Sequence, residues 1–83
     1  MDKQIHTVTS PVMGTFYRSS APDSPPLVET GRSVTPEDVV CMIESMKIFT
    51  EIRSGHTGRI KKILVENEDP VMKNQALMEI ELD

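Results

Sequence analysis

The last seven residues before the C-terminal aspartate, "ALMEIEL" (76–82), set Met78, Ile80 and Leu82 on one side of an extended chain. Glu79 and Glu81, with Asp83 beyond them, fall on the other side. An alternation with a period of two predicts a half-buried β-strand. "RIKKILVE" (59–66) is also short, rich in β-branched residues and bounded by turn formers, and reads the same way. "TPEDVVCMIESMKIF" (35–49) is ambiguous. Thr35 as N-cap, Pro36 behind it and two acids in the first turn imitate a helix start. An internal repeat removes the ambiguity. "VETGRSVTPEDVVCMIE" (28–44) aligns without a gap on "VENEDPVMKNQALMEIE" (65–81), an offset of 37 residues, pairing Val28 with Val65, Val34 with Val71, Ile43 with Ile80 and Glu44 with Glu81. The second copy has neither the cap nor the proline and ends in the strand alternation, so both copies are read as strands.

Upstream, "SPVMG" (10–14) matches "SGHTG" (54–58), but at an offset of 44. The first copy therefore holds seven extra residues between Gly14 and Val28. "SSAPDSPP" (19–26), with three prolines and no apolar periodicity, is where they fit. The expected fold class is all-β: a flattened barrel or sandwich of two similar antiparallel four-stranded sheets with a quasi-twofold internal repeat. Residues 1–9 are read as an N-terminal tail or linker remnant and 10–82 as the single domain.

The repeat also places Lys47. The strand "VVCMIE" ends near Glu44, and "IFTEI" starts a strand running back, so Lys47 falls on a hairpin turn where the halves meet. A hydrated ammonium in the most apolar part of the chain belongs at such a tip, and loop tips on a rigid scaffold often carry function. By spacing alone, Met46 and Ile48 read as apolar packing at the ends of the hairpin, and Glu44 as a solvated charge like its twin Glu81.

Composition narrows the function classes. Eighty-three residues allow one small domain without a deep catalytic cleft. A net charge of −4 argues against nucleic-acid binding, and "RIKK" (59–62) reads as a solvated strand face. No apolar run approaches the roughly 18–20 residues of a membrane span. Cys41, alone and within an apolar run, reads as a core residue. His6 and His56 are far apart in sequence and have no ligand-spaced partner, which argues against a metal site. Thr57 and the hydroxyls of 19–26 have no base at a recognisable spacing, so no catalytic residue is expected.

"ESMKI" (44–48) resembles the biotin attachment motif of biotinyl domains, in which a small residue and methionine precede the acylated lysine. "SPVMGTFYRSSAPDSPP" and "GRSVTPEDVVCMIESMK" are similar to the biotin carboxyl carrier of bacterial or plastid-type acetyl-CoA carboxylase, over about Ser10 to Leu82. The resemblance implies biotin in amide linkage to Lys47, attached by a biotin–protein ligase. Ser45 stands where alanine is commonest, and Glu44, Met46 and Ile48 flank the lysine as recognition elements. It further implies that residues 19–26 (Ser19, Ser20, Ala21, Pro22, Asp23, Ser24, Pro25 and Pro26) form a thumb over the biotin ring, with Ser19 in the place of a threonine that bonds the ureido group. The implied partners are a biotin carboxylase and a carboxyltransferase, with no nucleic acid and no membrane, in the cytoplasm or plastid stroma. The implied role is a non-catalytic carrier in malonyl-CoA synthesis. The alternatives are a biotinyl domain of another carboxylase or decarboxylase, a lipoyl carrier (whose motif usually reads Asp-Lys-Ala), and an unmodified β-rich interaction module.

Overall fold

A computed structural model describes residues 3–83. It contains eight strands: β1 (Ile5–Thr9), β2 (Gly14–Tyr17), β3 (Ser33–Val34), β4 (Val39–Ser45), β5 (Ile48–Arg53), β6 (Gly58–Ile63), β7 (Pro70–Val71) and β8 (Ala76–Leu82). They form two four-stranded antiparallel sheets, β1-β8-β6-β3 and β5-β4-β2-β7. The fold is the expected all-β sandwich.

The repeat relates β1 to β5, β2 to β6, β3 to β7 and β4 to β8, and carries one sheet onto the other. The halves do not each build a sheet, as a simple reading of the repeat would have it. Each sheet takes two strands from each half, because β8 lies between β1 and β6 while β4 lies between β5 and β2. The core follows the same symmetry. Val8 and Ile52, Phe16 and Ile60, Val34 and Val71, Val40 and Leu77, Cys41 and Met78, and Ile43 and Ile80 are all buried as twin pairs.

Residues 5–9, assigned above to a tail, form β1 instead. Its register on β8 runs from Ile5 opposite Glu81 to Val8 opposite Met78. In "IHTVT" only Val8 is fully buried, so the segment carries too few apolar residues to announce itself. The alternation expected along β8 also breaks once. Leu77 is skipped between Val8–Met78 and Thr9–Ala76, and Val40 is skipped between Val39–Arg53 and Cys41–Ile52. These twin β-bulges bury two successive side chains, Leu77 with Met78 and Val40 with Cys41.

The residues that imitated a helix start make a tight turn. Asp38 N–H donates to the Thr35 carbonyl at 3.1 Å, and the Asp38 carboxylate accepts from Thr35 N–H at 2.8 Å. The second copy closes in the same way, with Gln75 replacing Asp38 and Met72 replacing Thr35. Gly14 and Gly58 are required by close approach. A Cβ on either would run into the carbonyl oxygen of Glu44 or Glu81, and lies 2.9 Å from Cγ2 of Ile43 or Ile80.

Candidate functional site

β4 and β5 are joined by two residues, with Ser45 opposite Ile48. Met46 and Lys47 form the turn, at φ 52° and 69°. Positive φ at both central residues is the signature of a type I′ hairpin, whose twist matches that of the strands but which favours Asn and Gly. Two ordinary side chains in the left-handed region are therefore strained. The Glu44 carboxylate accepts a hydrogen bond from Lys47 N–H at 2.9 Å and pins the turn. Glu44 is thus more than the solvated charge its pattern suggested.

Met46 is 90% exposed and Ile48 68% exposed. The packing expected for them by spacing is absent because both project beyond the last core pair, at the sheet's end. Their burial gives the hairpin nothing, and they stand on either side of Lys47 as an apolar collar. The small side chain of Ser45 leaves the approach to the turn open.

Behind the hairpin, the outer face of the sheet carries a cleft. Phe16 points into the core, so its neighbour Tyr17 points out, and its ring lies 6.0 Å from that of Phe49. Ser19, Ser20, Ala21 and Pro22 rise beside these rings, and Asn67 and Glu68 complete a cleft of about 370 Å³. Phe49 lies two positions beyond Lys47, about 7 Å along the strand, so a group carried on the lysine can reach the rim. Asp23, Ser24, Pro25 and Pro26, the other half of the expected thumb, do not line the cleft.

The loop that holds these residues is closed at its base. Leu27 N–H donates to the Arg18 carbonyl at 2.8 Å, and Ser24 N–H folds the tip back onto the Ala21 carbonyl at 3.1 Å. Arg18 anchors it further, its N–H donating to Asn67 Oδ1 at 2.8 Å and its guanidinium to the Val28 carbonyl at 3.2 Å. No strand hydrogen bond depends on residues 19–26.

Tyr17, Phe49, Asn67 and Glu68 were not singled out from sequence. Tyr17 and Phe49 had a signal: they are two of the chain's three aromatics, at outward-facing strand positions. Asn67 and Glu68 had none, since they arrive from the second half through the interleaving of strands. Cys41 is fully buried, and burial pushes its thiol up to about 12, which removes it as a nucleophile. No group of three or more His, Cys, Asp or Glu among the described residues could hold a metal ion. The two histidines, distant in sequence, nonetheless meet, with ring centroids 4.1 Å apart.

Among solved structures, the urea carboxylase of Kluyveromyces lactis is similar with a TM-score of 0.79 at 25% identity, covering 96% of this chain and 6% of that one. Among curated proteins, the biotin carboxyl carrier protein of acetyl-CoA carboxylase from Pseudomonas aeruginosa is 44% identical over 75 residues, 90% of this chain and 48% of that protein. Its counterpart from Nostoc is 42% identical over all 83 residues, 46% of that protein, and that of Chlamydia pneumoniae is 42% identical over 76 residues, 92% of this chain and 46% of that protein. The chain spans about half the length of these relatives. The family model described as "Biotin-requiring enzyme" matches residues 6–80. With nearly its whole length matched, the chain belongs to that family.

Proposed function

We propose that this domain is the biotin carrier of an acetyl-CoA carboxylase, with biotin in amide linkage to Lys47. The observation that carries the reading is Lys47 at the tip of a strained two-residue turn, pinned by Glu44 and collared by exposed Met46 and Ile48. Attachment needs a lysine amine that a biotin–protein ligase can reach. The neutral Nζ attacks an ATP-activated biotin carboxyl carbon, an amide bond forms, and the activating group leaves. The new amide has no charge, so the domain passes from −4 to −5.

The cleft suits the cofactor. Tyr17 and Phe49 offer an apolar wall for a fused ring system, and the hydroxyls of Ser19 and Ser20 with the Asn67 amide offer hydrogen bonds to a urea edge. When bound, biotin supplies a ureido nitrogen that takes up a carboxyl group at a biotin carboxylase and gives it up to acetyl-CoA at a carboxyltransferase, making malonyl-CoA. The protein's own residues tether and orient, and none of them acts as acid, base or nucleophile. Met46 and Ile48 serve as contacts for the ligase and partner enzymes, exposed methionine being an adaptable surface. In this reading 10–82 and β1 make one carrier domain working in the cytoplasm or plastid stroma. The loop 18–27 favours the acetyl-CoA carboxylase type over other biotin carriers, whose domains lack a thumb by the same resemblance.

The test is intact mass after incubation with biotin, ATP and a biotin–protein ligase. A gain of one biotin less one water, lost in Lys47→Ala although Lys3, Lys61, Lys62 and Lys73 remain, supports the reading. No gain with a ligase proven active on another carrier overturns it.

A further inference from the structure

The resemblance and the proposed carrier role leave the two histidines without a use. His6 lies on β1 opposite Ile80, and His56 lies in the loop between β5 and β6. Their ring centroids lie 4.1 Å apart, with the ring planes tilted by 52°. We propose that His6 and His56 form a two-imidazole site for a divalent transition-metal ion of the copper class, at the end of the domain remote from Lys47.

The loop that carries His56 is fixed. Ser54, almost fully buried, donates its hydroxyl to the His56 carbonyl at 2.6 Å, while Ser54 N–H donates to the Asp38 carbonyl at 2.9 Å and Gly55 N–H to the Pro36 carbonyl at 2.9 Å. His6 is held by the β1–β8 ladder on the other side. Two rigid elements therefore set the spacing. Two imidazoles at right angles on one copper ion, with metal–nitrogen bonds of about 2.0 Å, hold their centroids about 4.5 Å apart. The 4.1 Å between the centroids is within half an ångström of that separation.

Arg18 Nε is the sole buried side-chain nitrogen or oxygen without a partner among the described residues. The imidazole nitrogens make no hydrogen bond to those residues either. His6 is held below its ordinary value of 6.5, first by burial and then by the neighbouring His56.

The pair is not imposed by the repeat, for at an offset of 44 Thr50 matches His6 and Val12 matches His56. With two protein ligands the ion keeps water at its other positions, a set that suits tetragonal copper(II) or nickel(II). Six residues of β5 separate the attachment turn from this loop, about 20 Å of extended chain. Metal binding and acylation of Lys47 are accordingly independent.

The test is copper(II) titration of the tag-free domain, followed by NMR of the imidazole and backbone signals. The expected result is selective broadening of both His6 and His56 rings at substoichiometric copper. Affinity is expected to follow copper above nickel and zinc, with no response to magnesium. His6→Gln and His56→Gln are each expected to weaken copper binding at least tenfold, with the rate of Lys47 acylation unchanged. Broadening centred on Glu79, Glu81, Asp83 or the terminal amine, or copper affinity within twofold of wild type in both variants, overturns the proposal. The wild-type broadening pattern decides the matter even if a variant fails to fold.

Discussion

Replacing Met46 by asparagine separates what the turn needs for stability from what it needs for recognition. Met46 sits at φ 52° and Lys47 at φ 69°, and the left-handed region costs an ordinary L-residue about 1–2 kcal/mol. Asparagine recovers part of that, about 0.5–1 kcal/mol, because its short polar side chain is at home there. Little is lost in exchange, since Met46 is 90% exposed and has almost no burial to forfeit. For a domain of this size 1 kcal/mol moves Tm by roughly 4–8 °C, so Met46→Asn is expected to raise Tm by about 2–8 °C. Circular dichroism melts and urea titrations on the same samples measure this. The same variant is expected to be acylated more slowly, because the turn has given up half of its apolar collar, an instance of strain kept where function needs it. A Tm unchanged or lowered in Met46→Asn would refute the claim that the turn is strained.

Glu44→Ala is expected to speed hydrogen exchange at Lys47 N–H and to cost about 0.5–1 kcal/mol, while Glu44→Gln, which keeps an acceptor, preserves the protection; equal exchange in the two would show that the 2.9 Å bond does not hold the turn. Gly14→Ala and Gly58→Ala are expected to destabilise the domain by similar amounts, about 1–3 kcal/mol each in urea, since each drives a methyl into the same environment on opposite sheets. Cys41 is expected to stay inert to an aromatic disulfide reagent at pH 8 until the protein unfolds, because burial holds its thiol up near 12. As the folded value lies above the ordinary 9.0, the neutral thiol's contribution to stability is complete below pH 9 and is lost as pH rises towards 12. Deleting residues 19–26 is expected to leave the melt cooperative, as Arg18 and Leu27 already meet at the base of the loop; a molten product would show that the loop supports the sandwich.

The repeat was the most legible part of the chain. Offsets of 37 and 44 gave the strands, the position of the turn and the extra loop, because twin core pairs such as Phe16 and Ile60 impose twin spacings. The interleaving of the halves was not legible, since a sequence repeat says which segments are alike and not which of them pair. β1 is not legible in the sequence because one buried valine in five residues makes no period. Spacing does not reveal the exposure of Met46 and Ile48, since apolar residues beyond the last core layer look the same in sequence as those within it. Lys47 itself could be found because a charge between two apolar strands has few places to go. The cleft could not, as Asn67 and Glu68 reach it through tertiary pairing alone.

The geometry of the ends has a mechanical consequence. β5 leaves the Lys47 turn and travels the length of the sheet, and the loop that follows delivers Gly58 opposite Leu82, with Thr57 accepting from Asp83 N–H. Ile5 pairs with Glu81 at that same end. Whatever chain is joined before Ile5 or after Leu82 therefore pulls on the pole opposite the lysine. The sandwich works as a rigid handle, with its leash at one pole and its working tip at the other. On the proposed carrier role, its full strand length is added to the reach of the Lys47 side chain, and a tether at the far pole stays clear of the tip.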